Sequence, residues 1–533
     1  MTTGKRSTTK NKRGNARKKS KGNAKPKPKP VPSPKASAAQ TPATGTAAAL
    51  LAAFLSIVSE WQNVFPQQRT YLRAVRQALG GLICLGRRTI SRIIWTNGGQ
   101  HKPWRAEYFL FSRCKWNPSE LFAPILRRAL PYCPDGYVGV AVDATHLRKS
   151  GPRIQQASYQ HDPLSPKFHP NLMFALRFLQ ASLLVPLYKK APVGARALPI
   201  AFEHSPVVKK PKRKPQPKSK GKANAKGKGK GNTKTEQANR ELQKEWQQYK
   251  AARKVCNLST HFVQLMKHLR DAFDACDNAA RTLVLAVDNS FCNRTVFTAA
   301  AVHGVELIAR AKKNIVLCLP APAGSRRVYD PGKFTPEQVR QDGSSPWKRA
   351  HIFYGSRFRD VFYKQVAEVL WQGGARRRPL RLFVVRATPY RKRKSSRMYY
   401  RQHAYLLTTD LVANAAQLLQ IYFDRWQIEV NHREEKDTLG IGQAQLWNLV
   451  AVPRQPAFAV AGYSTMLLSS LLAFGPERSS AYLPLPNWRK RAKRPSALDL
   501  VTLLRQEVTQ HPEQVAHLGL NFSDRAINAA AAA

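Results

Sequence analysis

The sequence predicts an α/β fold in which a mixed sheet is flanked by helices, with a helical segment before it and a β-rich segment inserted in it. Two apolar runs, YVGVAVDATH (137–146) and RTLVLAVDNSF (281–291), are rich in β-branched residues and do not alternate with polar ones. Such runs are typical of strands buried on both faces of a sheet that helices cover. Helical patterns surround them, at residues 46–130 and 411–475.

Lysine and arginine dominate the charge of the chain. It carries 89 Lys and Arg against 31 Asp and Glu, a formal charge of +58 over 533 residues. The segments 1–45 and 207–235 cannot bury enough apolar surface to fold, which predicts a disordered basic arm and a flexible Lys-rich insert. Positive charge of this size favours a polyanion, because each neutralised phosphate releases counterions. Nucleic acid is the predicted partner, and an anionic membrane is the alternative.

Neither long apolar run predicts a membrane span. The run at 47–61 stops at Glu60 and the run at 457–475 contains several Ser and Thr residues, so both are expected to be buried helices. The basic N-terminus lacks the apolar segment of a secretory signal. Seven scattered cysteines without a C-x-x-C pair predict reduced thiols, not a disulfide framework or a zinc site. These features together predict a cytoplasmic protein.

The first helical segment, residues 46–130, contains a possible DNA-binding element. YLRAVRQALGGLICLGRRTISRIIW predicts a helix, a Gly-containing turn and a second helix with Arg87, Arg88 and Arg92 near its start. This arrangement is compatible with a helix-turn-helix and equally with an ordinary helical hairpin that has a basic surface.

The central part of the chain predicts strands first and helices afterwards. Both buried runs fall in 131–312, and 313–410 predicts antiparallel strands such as AHIFYG, DVFYKQVAEVLW, LRLFVVRATPY and MYYRQHAYLLTTD. A long helix at 411–438 and a further apolar helix complete 411–475, and 476–533 is a C-terminal helical region. The connection RKRKSSR predicts a hairpin tip whose charges either lie in solvent or contact a phosphate backbone. Its first basic residues are Arg391, Lys392, Arg393 and Lys394.

Two aspartates lie where the predicted buried strands end. Asp143 closes the run YVGVAVD and Asp288 closes the run RTLVLAVD. Parallel strands place their carboxyl ends at one edge of a sheet, where open α/β folds bind ligands. The two side chains are therefore expected close together. Taken singly, each has an alternative as a turn or helix-cap residue.

A stripe of mixed charge runs along the helix that contains YFDRWQIEVNHREEK (422–436). At about 100° per residue, one narrow face holds Tyr422, Arg425, Glu429 and Lys436. Two interpretations are open for it. Either Arg425 and Glu429 form an ion pair worth about 0.2–0.5 kcal/mol on an exposed helix, or Glu429 joins the two aspartates in one site.

Three converging carboxylates would predict a metal-dependent enzyme. Asp143, Asp288 and Glu429 would repel one another unless cations neutralised them, and hard oxygen ligands suit Mg²⁺ or Mn²⁺. Two such ions activate water or a 3′-hydroxyl on one side of a phosphodiester and stabilise the leaving oxygen on the other. The hypothesis is phosphoryl transfer on nucleic acid, with the positive members of the stripe holding DNA phosphates.

The same stripe resembles a family signature. Tyr422-x2-Arg425-x3-Glu429-x6-Lys436 matches, without a gap, the Y-x2-R-x3-E-x6-K signature of a large group of bacterial insertion-sequence transposases with a DDE catalytic triad. Trp426, directly after the arginine, also resembles members of that group.

Other stretches extend the resemblance over about residues 80–475. VAVDATHLRKSG is similar to the first-aspartate strand of these enzymes, and AVDNSF, with an aromatic three residues after Asp288, to the second. The 141 residues from Asp288 to Glu429 leave room for the β-rich insertion that the family places there. The basic arm and the Lys-rich insert depart from the usual pattern.

The resemblance implies a ribonuclease H-like catalytic domain that cuts at transposon ends and joins the 3′-hydroxyls to target DNA. It implies that Asp143, Asp288 and Glu429 bind two Mg²⁺ or Mn²⁺ ions. Partners would be double-stranded DNA, as terminal inverted repeats and as target, and a second copy of the chain in the end-pairing complex. The location would be the bacterial cytoplasm, in association with the nucleoid.

The resemblance also implies roles for the rest of the stripe. Tyr422, Arg425 and Lys436 would contact transposon-end DNA near the cleaved phosphate. Trp426 would either stack on a displaced base, an interaction worth about 1–3 kcal/mol, or pack in the core. Two further functions stay open: a catalytically inactive DNA-binding protein derived from such an enzyme, and a metal-dependent nuclease without strand transfer.

Overall fold

The computed structural model describes most of the chain after residue 47. The described ranges are 48–162, 165–166, 168–187, 194–211, 232–276, 281–355, 357–391, 396–489, 492 and 494–520. The predicted basic arm, most of the predicted Lys-rich insert, and Lys392, Arg393 and Lys394 of the predicted hairpin tip lie outside these ranges.

Fourteen strands occur in the described part of the chain. Their bounds are β1 Tyr137–Arg148, β2 Ser158–His161, β3 Leu172–Pro186, β4 Ala195–His204, β5 Thr282–Val287, β6 Glu306–Ala311, β7 Leu317–Pro320, β8 Tyr329–Phe334, β9 Lys348–Phe353, β10 Phe358–Leu370, β11 Pro379–Val385, β12 Pro389–Tyr390, β13 Tyr399–Tyr400 and β14 Ala404–Thr408. Twelve of them form one sheet, and β12 and β13 pair separately.

Thirteen α-helices accompany these strands within the same ranges. Their bounds are α1 Ala49–Val58, α2 Gln68–Ile83, α3 Ile90–Thr96, α4 Arg105–Ser112, α5 Ala123–Ala129, α6 Asn232–Val255, α7 Leu258–Asp274, α8 Arg294–Val302, α9 Pro336–Gln341, α10 Ala415–Asp424, α11 Trp426–Arg433, α12 Ala451–Phe474 and α13 Ala497–Gln510. A π-helical turn, Glu434–Thr438, follows α11.

The sheet is mixed. Its centre is parallel, with β5 between β1 and β6, while β3 runs antiparallel to β1 and pairs on its other edge with β2 and β4. Beyond β6, the order continues through β14, β11, β10, β7 and β8 in antiparallel pairings, and β9 also pairs with β10. The prediction of a mixed α/β sheet flanked by helices is confirmed. The predicted β-rich segment is a direct extension of that sheet.

The two apolar runs form the buried strands that their composition predicts. Val140, Val142 and Leu285 are fully buried. Asp143 does not end its strand, because β1 continues to Arg148 against β3. The parallel pairing with β5, however, stops at Ala141 and Ala286. Asp143 therefore lies just past the parallel part of the sheet, at the rim that the sequence predicted.

The predicted helix over 411–438 has three parts. The backbone N–H of Ile428 donates to the carbonyl of Arg425, a tightened contact between α10 and α11. In the π turn, the N–H of Leu439 donates to the carbonyl of Glu434, five residues back. Such a turn inserts one residue into the helical register. Lys436 therefore does not keep the angular position that an ideal helix gives it.

Helix α12 is the centre of the largest apolar core. Helices α1, α2 and α13 pack on it, so that the predicted N-terminal and C-terminal helical regions share one core. The helix is long and apolar enough to cross a membrane, but 72% of its most apolar stretch is buried inside the protein. That burial is expected for a core helix, as the sequence predicted. All seven cysteines carry free thiols.

The predicted helix-turn-helix segment corresponds to α2 and the short α3. The turn between them contains Gly86 with φ of 73°, a left-handed conformation that glycine adopts without a steric penalty. The guanidinium of Arg88 donates to the carbonyl of Gly81, and that of Arg92 to the carbonyl of Leu85. Arg87 is exposed. Two of the three predicted surface arginines thus pack partly against the hairpin itself.

Substitution of Phe458 tests whether the helical regions share one core. This buried α12 side chain lies 5.4–6.0 Å, centroid to centroid, from Trp61, Phe111 and Trp116. We expect Phe458→Ala to lower the free energy of unfolding by about 3–5 kcal/mol, through lost burial and an unfilled cavity. Urea denaturation followed by tryptophan fluorescence measures this change.

Leu498→Ala is the matched control, because this α13 side chain is 58% exposed. We expect it to change stability by no more than about 0.5 kcal/mol. Equal losses in the two variants would contradict a core centred on Phe458.

Candidate active site

Asp143 occupies the rim of the sheet from strand β1. Its cross-strand neighbour on β3 is Gln180, and one carboxylate oxygen accepts a hydrogen bond of 2.8 Å from the backbone N–H of Ala144. The side chain is 22% exposed. A charged group is thus held near the surface directly after the buried apolar part of the strand, Val138–Val142.

Asp288 follows β5 directly and caps the short 3-10 turn Asn289–Phe291. Its Oδ1 accepts from the backbone N–H of Ser290 at 2.9 Å, and its Oδ2 accepts from the Ser290 hydroxyl at 3.1 Å. Asp288 therefore acts as a helix-cap residue, which was the alternative role that the sequence left open. That role does not exclude a second one, because the same carboxylate lines the pocket described below.

Glu429 reaches the site from α11, beside the side chain of Arg425. The guanidinium of Arg425 lies 3.5 Å from a Glu429 carboxylate oxygen and 3.9 Å from Asp143 Oδ2. The ion pair that the sequence predicted as one alternative is thus present. It is not an isolated surface pair, because the same cation also contacts Asp143 on the sheet.

One pocket of about 450 Å³ brings the three carboxylates together. Its lining residues are Asp143, Asp288, Asn289, Arg310, Ala311, Lys312, Arg425 and Glu429. Strands β1, β5 and β6 all end their parallel pairing at this rim. Acids from three distant parts of the sequence therefore face one solvent-accessible space, with basic residues on two sides.

Burial and mutual repulsion perturb the acids. Burial, reinforced by the nearby Asp288, raises the pKa of Asp143 to about 6, although Arg425 opposes this shift. Burial also raises the pKa of Glu429, and Arg425 again opposes it. Burial and mutual repulsion therefore outweigh Arg425 in their effect on both pKa values, although the pocket is lined by as many basic residues as acids.

The polar residues behind α11 fix it on the sheet. Gln180, the cross-strand neighbour of Asp143, donates to Glu435 at 2.9 Å, and the amide of Asn431 donates to the carbonyl of Ala197 at 3.1 Å. Glu435 is almost fully buried, and that burial raises its pKa to about 8. A protonated Glu435 retains an acceptor oxygen for Gln180. These contacts link the π turn and α11 to β3 and β4.

Tyr422 and Lys436, the outer members of the predicted stripe, both lie near the pocket. The guanidinium of Arg425 lies 5.9 Å from the centre of the Tyr422 ring, and burial raises the pKa of this phenol. Burial lowers the pKa of Lys436, and the neighbouring Glu435 and Asp143 oppose that shift. Tyr422 and Lys436 thus both lie near the acids, as the stripe predicted, although Lys436 lies within the π turn.

Trp426 is exposed beside the pocket. Its side chain is 47% exposed, so the alternative of core packing is wrong. The guanidinium of Arg401 lies 5.8 Å from its ring centre and also approaches Tyr354 and Tyr390, at 5.2 and 5.7 Å. An aromatic surface that is exposed at Trp426 and partly buried at Tyr354 and Tyr390 therefore lies near the acids.

The predicted hairpin tip begins next to this surface. Strands β12 and β13 pair at its base, and Arg391 is exposed. The other basic residues predicted for DNA contact, Lys392, Arg393 and Lys394, lie outside the described residues.

Three basic residues of the site were missed by sequence reasoning. Arg310 lies near the end of strand β6, Lys312 follows that strand, and both line the pocket. Arg401 lies beside Trp426 and opposes the rise in the pKa of Glu429. The run VELIA (305–309) is strand-like in the sequence, so the rule that parallel strands end at one rim could have identified the first two. Nothing in the local sequence marks Arg401.

The donor set suits a hard divalent ion. Three carboxylates without histidine or cysteine are the ligand type that Mg²⁺ and Mn²⁺ prefer. Among the residues that the structure describes, no three acidic, His or Cys side chains are grouped closely enough to hold a metal ion as they stand. The observed arrangement is an arginine-bridged cluster, in which the Arg425 guanidinium supplies the positive charge.

Comparison with protein-family models and with curated proteins gives no match for this chain.

The raised pKa of Asp143 predicts a pH dependence of stability. Between about pH 4 and 6 the folded state binds more protons at this group than the unfolded state, so the free energy of unfolding falls as pH rises through that window. We expect Asp143→Asn to remove the contribution of this group to that fall. The free energy of unfolding of the variant is then expected to exceed that of wild type by on the order of 2 kcal/mol at pH 7.5. Urea unfolding at pH 4 and 7.5 measures the difference.

Glu245→Gln is the control, since the Glu245 side chain is exposed on α6. Its stability difference from wild type is expected to be the same at both pH values. A gain for Asp143→Asn that did not depend on pH would contradict the stated cause.

Proposed function

We propose that this protein is a DDE transposase that binds the ends of its insertion element, cleaves DNA and transfers the strand into target DNA. One observation carries the proposal: Asp143, Asp288 and Glu429, the three acids that the resemblance selects, line one pocket. Asp143 lies just past the parallel part of β1, Asp288 follows β5, and Glu429 lies on a separate helix. Only 31 of the 533 residues are acidic, so three acids that were selected from the sequence are not expected to share one rim by chance.

The sheet supports a ribonuclease H-like catalytic domain. Three parallel strands, β1, β5 and β6, are bordered by the antiparallel β3, and α11 crosses the rim with Glu429. This architecture is compatible with the domain that the resemblance implies. The pairing of β6 with β14 is also compatible with an insertion between the second and third acids.

Asp143, Asp288 and Glu429 would hold two Mg²⁺ or Mn²⁺ ions in this proposal. When bound, such ions supply the electrophile for a phosphodiester and lower the pKa of the attacking water or 3′-hydroxyl. The chain itself supplies the ligand oxygens, and the raised pKa of Asp143 indicates that this group favours neutralisation. Arg425 limits the repulsion between Asp143 and Glu429 before any ligand binds.

Positive side chains around the pocket would position the DNA backbone. Arg310 and Lys312 lie on the β6 side, and Arg425 lies between the acids. Guanidinium groups hold phosphate oxygens through paired hydrogen bonds, which fixes the backbone without reading sequence. Tyr422 and Lys436 complete this surface near Asp143 in the proposal.

The exposed aromatic surface would accept an unstacked base. Trp426, with Tyr354 and Tyr390 around Arg401, offers ring faces next to the phosphate-binding residues. Stacking on such rings tolerates any base.

The proposed setting is the cytoplasm of a bacterium, in association with the nucleoid, with two copies of the chain pairing two ends.

Cleavage assays with Glu429→Ala test the catalytic assignment. The substrate is the DNA that borders the coding sequence, incubated with purified protein and Mg²⁺. We expect wild type to produce nicked ends and joined products, and the variant to lose activity by about 10⁴-fold, the scale for removal of a catalytic group. Asp437→Asn is the matched control, because this exposed acid follows the same helix and lies outside the pocket.

The reaction products of wild type distinguish a transposase from a nuclease and from an inactive DNA-binding protein. Nicked ends without joined products would favour a nuclease without strand transfer. Binding without cleavage by wild type would favour an inactive DNA-binding protein. Nicking that persisted in Glu429→Ala would remove Glu429 from the mechanism.

A further inference from the structure

A second basic pocket lies on the reverse side of the helix that carries Glu429. Its volume is about 200 Å³, and its walls come from β4, from α11 with the first π residue, and from the segment before α13. Four guanidinium groups line it, those of Arg196, Arg433, Arg489 and Arg494. The resemblance assigns no role to these residues.

Three of the four arginines are held in place by hydrogen bonds but retain free donors. Arg196 donates to the carbonyl of Pro495 at 3.2 Å, and Arg494 donates to the carbonyl of Ala195 and to the side chain of Gln427. Arg489 donates through one nitrogen to Asp499 and Ser496. Each guanidinium has five N–H donors, of which these contacts use one or two.

Arg433 differs from the other three. It is exposed, and no protein hydrogen bond to its side chain is present in the described part of the chain. A long charged side chain at the mouth of a pocket, free to reorient, is suited to close over a ligand.

The pocket has an excess of positive charge. Among the described residues, five guanidiniums, those four and that of Arg478, face three carboxylates. Glu434 lines the pocket, Asp499 binds both Arg489 and Arg478, and Asp424 lies near Arg494. Glu434 is already engaged by the hydroxyl of Tyr463 and the backbone N–H of Ala497. The surplus of two positive charges is unfavourable in a partly buried place, and burial with the neighbouring Arg196 lowers the pKa of Arg494. An anion would relieve this repulsion.

We propose that this reverse pocket binds a phosphate group. Guanidinium groups match the oxygen geometry of phosphate through paired hydrogen bonds, and a phosphate monoester carries about −1.5 to −2 at pH 7, close to the local surplus. Since one water occupies about 30 Å³ of liquid, the cavity admits a phosphate together with ordered water. The group belongs either to a free phosphate compound or to the backbone of a DNA segment that crosses this face.

Isothermal titration of the full-length protein with inorganic phosphate, at constant ionic strength, tests the site. We expect Arg433→Gln and Arg196→Gln each to raise the dissociation constant about tenfold, the scale for loss of a charge-assisted hydrogen bond. Arg326→Gln is the matched control, because it removes the same charge from the exposed connection between β7 and β8, at the other end of the sheet. It is expected to bind as wild type does. Thermal melting without phosphate checks that all three variants fold.

Binding of non-specific duplex DNA as a function of salt identifies the source of the phosphate. Log affinity falls as log salt rises. A slope that is less negative by about 0.9 in both pocket variants than in Arg326→Gln supports a DNA backbone phosphate. An unchanged slope with weakened phosphate binding supports a free phosphate compound in the same site.

Equal phosphate affinity in wild type and all three variants overturns the proposal. So does the absence of phosphate binding by wild type together with unchanged DNA slopes. The site does not depend on catalysis, so loss of activity in Glu429→Ala and loss of phosphate binding in Arg433→Gln are separate results.

Discussion

Repulsion between converging carboxylates is the constraint on which the site depends. Asp143 on β1 and Glu429 on α11 approach each other only because the guanidinium of Arg425 lies between them, and Asp288 completes the group from the end of β5. The opposing influence of Arg425 on the pKa of both acids reflects this role. The same requirement for positive charge makes the cluster suited to divalent ions. Neutralisation of the carboxylates is thus needed both for the folded structure and for the proposed chemistry.

The helix that carries Glu429 is charged on both sides and needs rigid support. On its inner side, Asn431 and Glu435 bind β4 and β3 through hydrogen bonds that are almost fully buried. Breaking such a bond leaves a desolvated polar group, which costs about 1–3 kcal/mol. The position of the acid relative to Asp143 is therefore fixed by polar contacts, whereas most of the fold is fixed by apolar burial.

Sequence patterns identified the features that depend on local chemistry. Asp143 and Asp288 were recognised because they follow runs of buried β-branched residues, and Glu429 because its stripe has helical spacing. Features that depend on long-range pairing were not recognised. Arg310 and Lys312 join the site only because β6 pairs with β5, and the reverse pocket exists only because β4 meets Arg489 and residues 494–496 behind α11. The tightened contact at Arg425 and the π turn arise from tertiary packing that helical periodicity does not encode.

The pairing between β6 and β14 has a consequence for how this architecture could diversify. Residues Ile308 to Ala311 of β6 form a continuous ladder with Tyr405 to Thr408 of β14, so the β-rich segment shares backbone hydrogen bonds with the parallel centre of the sheet. Removal of the whole segment would leave β6 with an unpaired edge, and bare edges recruit strands from other molecules. A shortened form of this chain would therefore need to keep β14, whereas its outer hairpins could be trimmed.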